Sequence, residues 1–150
     1  MAADSEIGNT LKTAKILHAT NIVAPIIYIG ILYYSKEYAD IWIFESDDPV
    51  LVMIEWILAA VSVACLLAGY FTPRFVLRRS SISAAVLQTM NILRGALFQA
   101  VGVFGLILGI LSTDWLISLP FIAVSIVALA FTFPTEAKWR RMLEPSDSTI

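Results

Sequence analysis

Four apolar stretches, separated by short polar segments, run the length of the chain, and each is close to the ~20 residues that a bilayer-spanning helix needs. The first covers about 14–34 and is interrupted in its first half by His18, Asn21 and Pro25. A mostly acidic loop follows, with an apolar island at Ile41–Phe44 that suits the headgroup level or the side of a bundle. Asp48-Pro49 has the form of a helix cap and first helical position, opening a second span over about 50–71 that Thr72-Pro73 closes. Arg74–Met90 mixes basic, hydroxyl and apolar residues and reads as an interfacial turn before a third span over about 91–111. Ser112, Thr113 and Asp114 leave so short a connection that the third and fourth spans form a tight antiparallel hairpin. The fourth span covers about 115–133 and ends at Pro134, with a polar tail over 135–150. The pattern predicts an all-α fold: one integral membrane domain, a four-helix transmembrane bundle.

Composition agrees with the pattern. Of 150 residues, 59% are hydrophobic and 15% charged, with a mean hydropathy of +0.81, whereas soluble domains are about 45–50% apolar. Four spans consume about 80 residues, and the remaining loops are too short for a soluble catalytic domain, so no enzyme is expected. A formal net charge of −2 without a basic run gives nucleic acid nothing to bind. Cys65 has no second cysteine for a disulfide or a paired zinc site, and it lies in an apolar run as a packing residue. Met1–Thr13 is polar and mixed in charge, and the apolar run after it is too long for the core of a cleaved signal.

Charge sets the orientation. With four spans, nine of the ten basic residues fall on the side of the termini and central loop: Lys12, Lys15, Arg74, Arg78, Arg79, Arg94, Lys138, Arg140 and Arg141. The other side has Lys36 against Glu37, Asp40, Glu45, Asp47, Asp48 and Asp114. The positive-inside rule puts both termini in the cytoplasm of a plasma (inner) membrane, with an organellar membrane as the alternative. Tyr33, Tyr34, Tyr38, Trp42, Trp56 and Trp115 gather toward the outer interface, and Tyr70 and Trp139 toward the inner one.

Candidate functional residues are the polar ones inside the apolar runs. Glu55 is the sole acid placed within the hydrocarbon, ~8 Å below the outer boundary at ~1.5 Å per residue. At 100° per residue, Gln99 shares a face with Gly95, Gly102, Gly105 and Gly109, a stripe on which another helix can approach closely while the amide bonds across the contact. Its partner lies within the chain or in a neighbouring subunit. His18, Asn21 and Arg94 occupy the inner third of spans one and three and form a cytoplasmic polar cluster, in which the carbonyl freed by Pro25 can be satisfied. No nucleophile with its base, no phosphate-cradling glycine loop and no two-carboxylate pair at one depth occurs, and no cofactor or metal is expected.

Leu93–Leu111 (LRGALFQAVGVFGLILGIL) also resembles the carboxylate-bearing second helix of the c subunit, the rotor proteolipid of rotary ATP synthases. The family pattern falls on Ala96, Leu97, Phe98, Gln99, Ala100, Val101, Gly102, Val103 and Phe104, with Gln99 at the position of the carboxylate. The resemblance implies c-like helix packing. An amide does not titrate, so in a proton- or ion-translocating proteolipid of this kind the titrating group would be Glu55. The favoured expectation is a non-enzymatic accessory or scaffolding subunit, with the bilayer and other membrane subunits or further copies of the chain as partners. The alternatives are that translocating proteolipid and a quinone- or small-molecule-binding module.

Overall fold

The computed structural model describes residues 2–38, 43–45, 47–79 and 83–143, with side chains from Gly8 onward and none described at 77–79. Among them are five α-helices: α1 (Ala2–Tyr38), α2 (Pro49–Arg79), α3 (Ala84–Leu111), α4 (Leu119–Phe131) and α5 (Glu136–Leu143). A single 3-10 turn, Trp115–Ser118, leads into α4. Among the described residues, β pairing is limited to an isolated bridge between Phe44 and Ser112.

Three of the helices, over Gly8–Tyr38, Pro49–Val76 and Ala84–Leu111, are long and apolar enough to cross a membrane. A fourth crossing would need the Trp115–Phe131 segment, which is followed after a short break by α5 at a bend of 57°. Ile41 and Trp42 of the apolar island lie outside the described residues.

Local chemistry sets the helix ends. Asp48 Oδ1 accepts from Val50 N at 2.7 Å and Pro49 opens α2, because a proline ring needs no amide partner in the first turn. Ser83 caps α3, its hydroxyl accepting from Val86 N at 3.3 Å. Asp114 caps the 3-10 turn through Leu116 N at 3.0 Å. Leu111 O, left open at the end of α3, accepts from Phe44 N at 3.0 Å, and Thr113 N donates to Phe44 O at 3.1 Å, so the two acidic-end loops hold each other.

The structure corrects two sequence expectations. Thr72-Pro73 does not close α2, which continues to Arg79 with Pro73 inside it. Proline leaves Gly69 O without its intrahelical donor, and next to it Thr72 Oγ1 bonds back to Ala68 O at 2.8 Å. Past the proline, Val76 packs against a cluster of Leu11, Ala14, Leu87, Met90 and Trp139, which rewards continued helix. The same cluster explains why Arg74–Met90 is mostly helix, with α3 beginning at Ala84. It also explains why the polar tail starts with a helix: Trp139, 2% exposed, anchors α5, and Thr135 caps it, with Trp139 N bonded to Thr135 O at 3.1 Å.

α3 is the centre of the packing. It touches α1, α2, α4 and the 3-10 turn, while α1 and α4 also touch each other and α2 has α3 as its one substantial neighbour. The four long elements therefore form a trio, α1–α3–α4, with α2 attached to the outer side of α3, and the arrangement is not a square bundle.

The contact with least room to give is at Gly105, where an added Cβ would lie 2.9 Å from the backbone oxygen of Ser118 and 2.9 Å from Phe121 Cβ. A backbone carbonyl cannot rotate aside. We therefore expect Gly105→Val to lower the stability of the detergent-solubilised protein by at least ~1–3 kcal/mol, the usual range for overpacking. Gly30→Val, where a Cβ meets nothing within 4 Å, is expected to stay close to wild type. Thermal unfolding followed by circular dichroism checks both.

Candidate functional site

Glycines on α3 admit polar side chains from both neighbouring helices. At Gly95 a Cβ would fall 2.7 Å from the Asn21 side-chain nitrogen on α1. At Gly102 it would meet Ser125 Oγ at 3.0 Å and Pro25 Cγ at 3.4 Å, and at Gly109 it would meet Leu32 and Ser118. The partners of all four stripe glycines, Gly95, Gly102, Gly105 and Gly109, are inside the chain, on α1, α4 and the 3-10 turn.

The space left at Gly102 has a chemical use. Ser125 Oγ, fully buried, donates to Phe98 O at 2.8 Å across the α3–α4 contact. Gln99 faces α1, where its Nε2 donates to Tyr28 Oη at 3.3 Å. Ser125 and Tyr28 were not singled out from the sequence. A signal for Ser125 exists: Ser118, Ile122, Ser125 and Leu129 follow a three-four spacing and are all buried, so the two serines mark the face of α4 that meets the glycines.

Nearer the basic end, His18 on α1 is 1% exposed and donates from Nε2 to Leu129 O at 2.7 Å. That carbonyl belongs to the last turn of α4, where Pro134 stops the helix and the usual donors run out. Thr132 N reaches the same oxygen at 3.2 Å and Thr132 Oγ1 at 3.1 Å. Phe133 packs edge-on against the imidazole, 5.5 Å between centroids, and Nδ1 is buried without a partner. With Nε2 committed as a donor to a carbonyl, His18 is a helix-end cap.

Arg94 lies close enough to His18 to act on it electrostatically. Its guanidinium sits 5.6 Å from the centroid of the Phe98 ring, which in turn fills the place of a side chain at Gly69 of α2. Arg94 Nε is shut off from solvent and unpartnered. His18 and Arg94 thus share one level of the molecule, and Asn21, one turn on from His18, rests on Gly95 beside Arg94. Glu55 stands apart: it is half-buried in the opening turns of α2, toward the acidic end, with no hydrogen bond or ion pair among the described residues. Among the described residues, no group of three or more His, Cys, Asp or Glu side chains converges.

Compared with known proteins, the chain matches no family model, no curated protein and no solved structure. Its polar residues must speak through their own geometry, and the geometry spends them on backbone carbonyls and helix contacts: Ser125 on Phe98 O, His18 on Leu129 O, Gln99 on Tyr28.

Removing Ser125 takes away the bond that α4 makes to Phe98 O, and removing His18 leaves Leu129 O to the donors of Thr132 alone, without the link from α1. Cross-helix bonds in membrane proteins are worth about 0.6–2 kcal/mol. We expect Ser125→Ala to cost within that range and His18→Ala to cost more, because it also removes the ring that packs against Phe133. Unfolding of the reconstituted protein in a denaturing detergent titration measures both, and unchanged midpoints would contradict the assigned bonds.

Proposed function

We propose that this is a four-span integral membrane protein with both termini cytoplasmic that serves, without catalysis of its own, as an accessory or scaffolding subunit of a larger membrane complex or homo-oligomer. In this reading Trp115–Phe131 is the fourth crossing and α5 lies at the inner interface. Support for the orientation comes from charge. Lys12, Lys15, Arg74, Arg94 and Lys138 belong with the Leu11–Trp139 cluster, and Lys36 stands among acids at the end where Phe44 meets Ser112.

The observation that carries the functional reading is the lopsided packing of α2. Its outward face exposes Met53, Trp56, Ile57, Val63 and Leu67, as lipid contact allows. Between α2 and α4, however, a groove of about 190 Å³ runs along Ala59, Ser62, Leu66, Val101, Phe121 and Val124. Ser62 Oγ is buried there without a bond. The groove itself exposes only apolar atoms, so what it offers a further helix is shape and contact area, the terms on which helices associate in lipid. The stripe of α3 is already occupied by α1 and α4, so α2 and its groove are the surface available to a further transmembrane helix.

Purification in mild detergent followed by native mass spectrometry tests this. The expected result is a defined assembly, either with other membrane proteins or of identical copies. Ser62→Leu, which fills the groove, is expected to dissociate that assembly while the helix content holds, and Glu55→Gln to leave it intact. A monomer under all mild conditions, or proton flux in liposomes abolished by Glu55→Gln, would overturn the proposal.

A further inference from the structure

Where α4 gives way to α5, a recess of about 50 Å³ opens between the elbow and the first turns of α3. By the measure in which one water takes ~10–15 Å³, it has room for a group of a few heavy atoms and none for an acyl chain. Its polar lining is Asn91, Arg94, Thr132 and Lys138, with Trp139 and Phe133 as apolar walls and no acidic residue.

The donors of this lining are unspent. Asn91 is 7% exposed and its amide makes no hydrogen bond among the described residues. Arg94 has neither a hydrogen bond nor an ion pair among them, and its Nε is buried and unpartnered. Lys138 is exposed at the rim and likewise has no ion pair among the described residues. By contrast, Arg140, two residues on, is held by Glu136 at 2.9 Å. Two cations and a buried amide facing a small recess without a carboxylate make a site for an oxyanion, because a guanidinium presents a fork of donors that matches phosphate oxygens.

We propose that the recess binds the phosphodiester of an anionic phospholipid, with Arg94 beneath the phosphate, Lys138 at its outer side and Asn91 donating from α3. The inference rests on the membrane topology proposed above, which puts the elbow at the inner interface. The lipid origin of the phosphate is argued from the neighbours. Phe131, 80% exposed, and Ile92 and Leu93, about half exposed, lie within a turn of the lining residues, so apolar surface for tails adjoins a charged seat for one head group. A leaflet rich in anionic lipid attracts such cations further.

The test uses the full chain in detergent, with phosphatidylglycerol or phosphatidylcholine of matched tails added in steps and adducts counted by native mass spectrometry. Phosphatidylglycerol is expected to be retained preferentially, and Lys138→Gln and Arg94→Gln each to weaken its retention about fivefold, the usual contribution of one cation at an anionic surface. Arg140→Gln is expected to retain it as wild type does. Lys138 is exposed, so its variant tests the site without disturbing the fold. Equal retention of the two lipids, or full retention by both Lys138→Gln and Arg94→Gln, would overturn the proposal. Displacement of the lipid by millimolar inorganic phosphate would overturn the lipid assignment and make the site one for free phosphate. Protein partners are scored separately by co-purification, so the subunit reading and the lipid site can each fail alone.

Discussion

Close approach of backbone to backbone along α3 is the constraint on which this molecule depends. Between helices in lipid there is no hydrophobic driving force, because the acyl chains are as apolar as the side chains they replace; contact area and cross-helix hydrogen bonds must do the holding. Glycine at 95, 102, 105 and 109 supplies both. It brings Ser118 O within 2.9 Å of where a Cβ at Gly105 would stand, and it opens the gap through which Ser125 reaches the carbonyl of Phe98. The gradient of burial follows from this. In the most apolar window of each helix, 39% of α3 is buried, against 17% for α1 and 11% for α2.

A second economy operates at the basic end. A helix that stops in or near hydrocarbon leaves carbonyls that water cannot reach, and α4 stops at Phe131, just ahead of Pro134 and the turn into α5. His18 from α1 and Thr132 from the elbow both bond to Leu129 O, so the bend is made affordable by a side chain more than a hundred positions away. Once the chain has turned, α5 can lay Trp139 over Leu11, Ala14, Leu87 and Met90. This small aliphatic core continues the packing of α1 on α3 through Leu11, Ala14, Leu87 and Met90, and the bond from His18 to Leu129 O braces the end of α4 beside it.

Much of the fold is legible in the sequence. Long apolar runs declare the helices, Asp48-Pro49 declares the start of α2, and the three residues after Leu111 declare the short turn. The basic end is illegible for one reason: the stretch after Pro73 resembles a loop when scored alone, and what rewards helix at Val76, Leu87 and Met90 is their packing with a distant tryptophan. Pro73 misled for a related cause, since the rule that proline ends a helix assumes that nothing beyond it is worth packing. At the polar residues, helical phase could group Gln99 with the glycines, yet it could not choose Tyr28 as the partner, because phase describes one helix and a bond needs two. The unspent donors at Asn91 and Arg94 were invisible for the same reason: whether a donor is used depends on which helix ends beside it.

The attachment of α2 through α3 alone has a consequence for biosynthesis. Helices leave the ribosome in chain order, and α1 and α2 scarcely touch in the finished molecule. In the four-span reading proposed above, the first two helices therefore enter the bilayer with almost nothing in the chain to hold them to each other. Their common partner is α3, which packs against both and is made after them. The order of synthesis thus leaves it to residues 84–111 to join two helices that have little contact of their own.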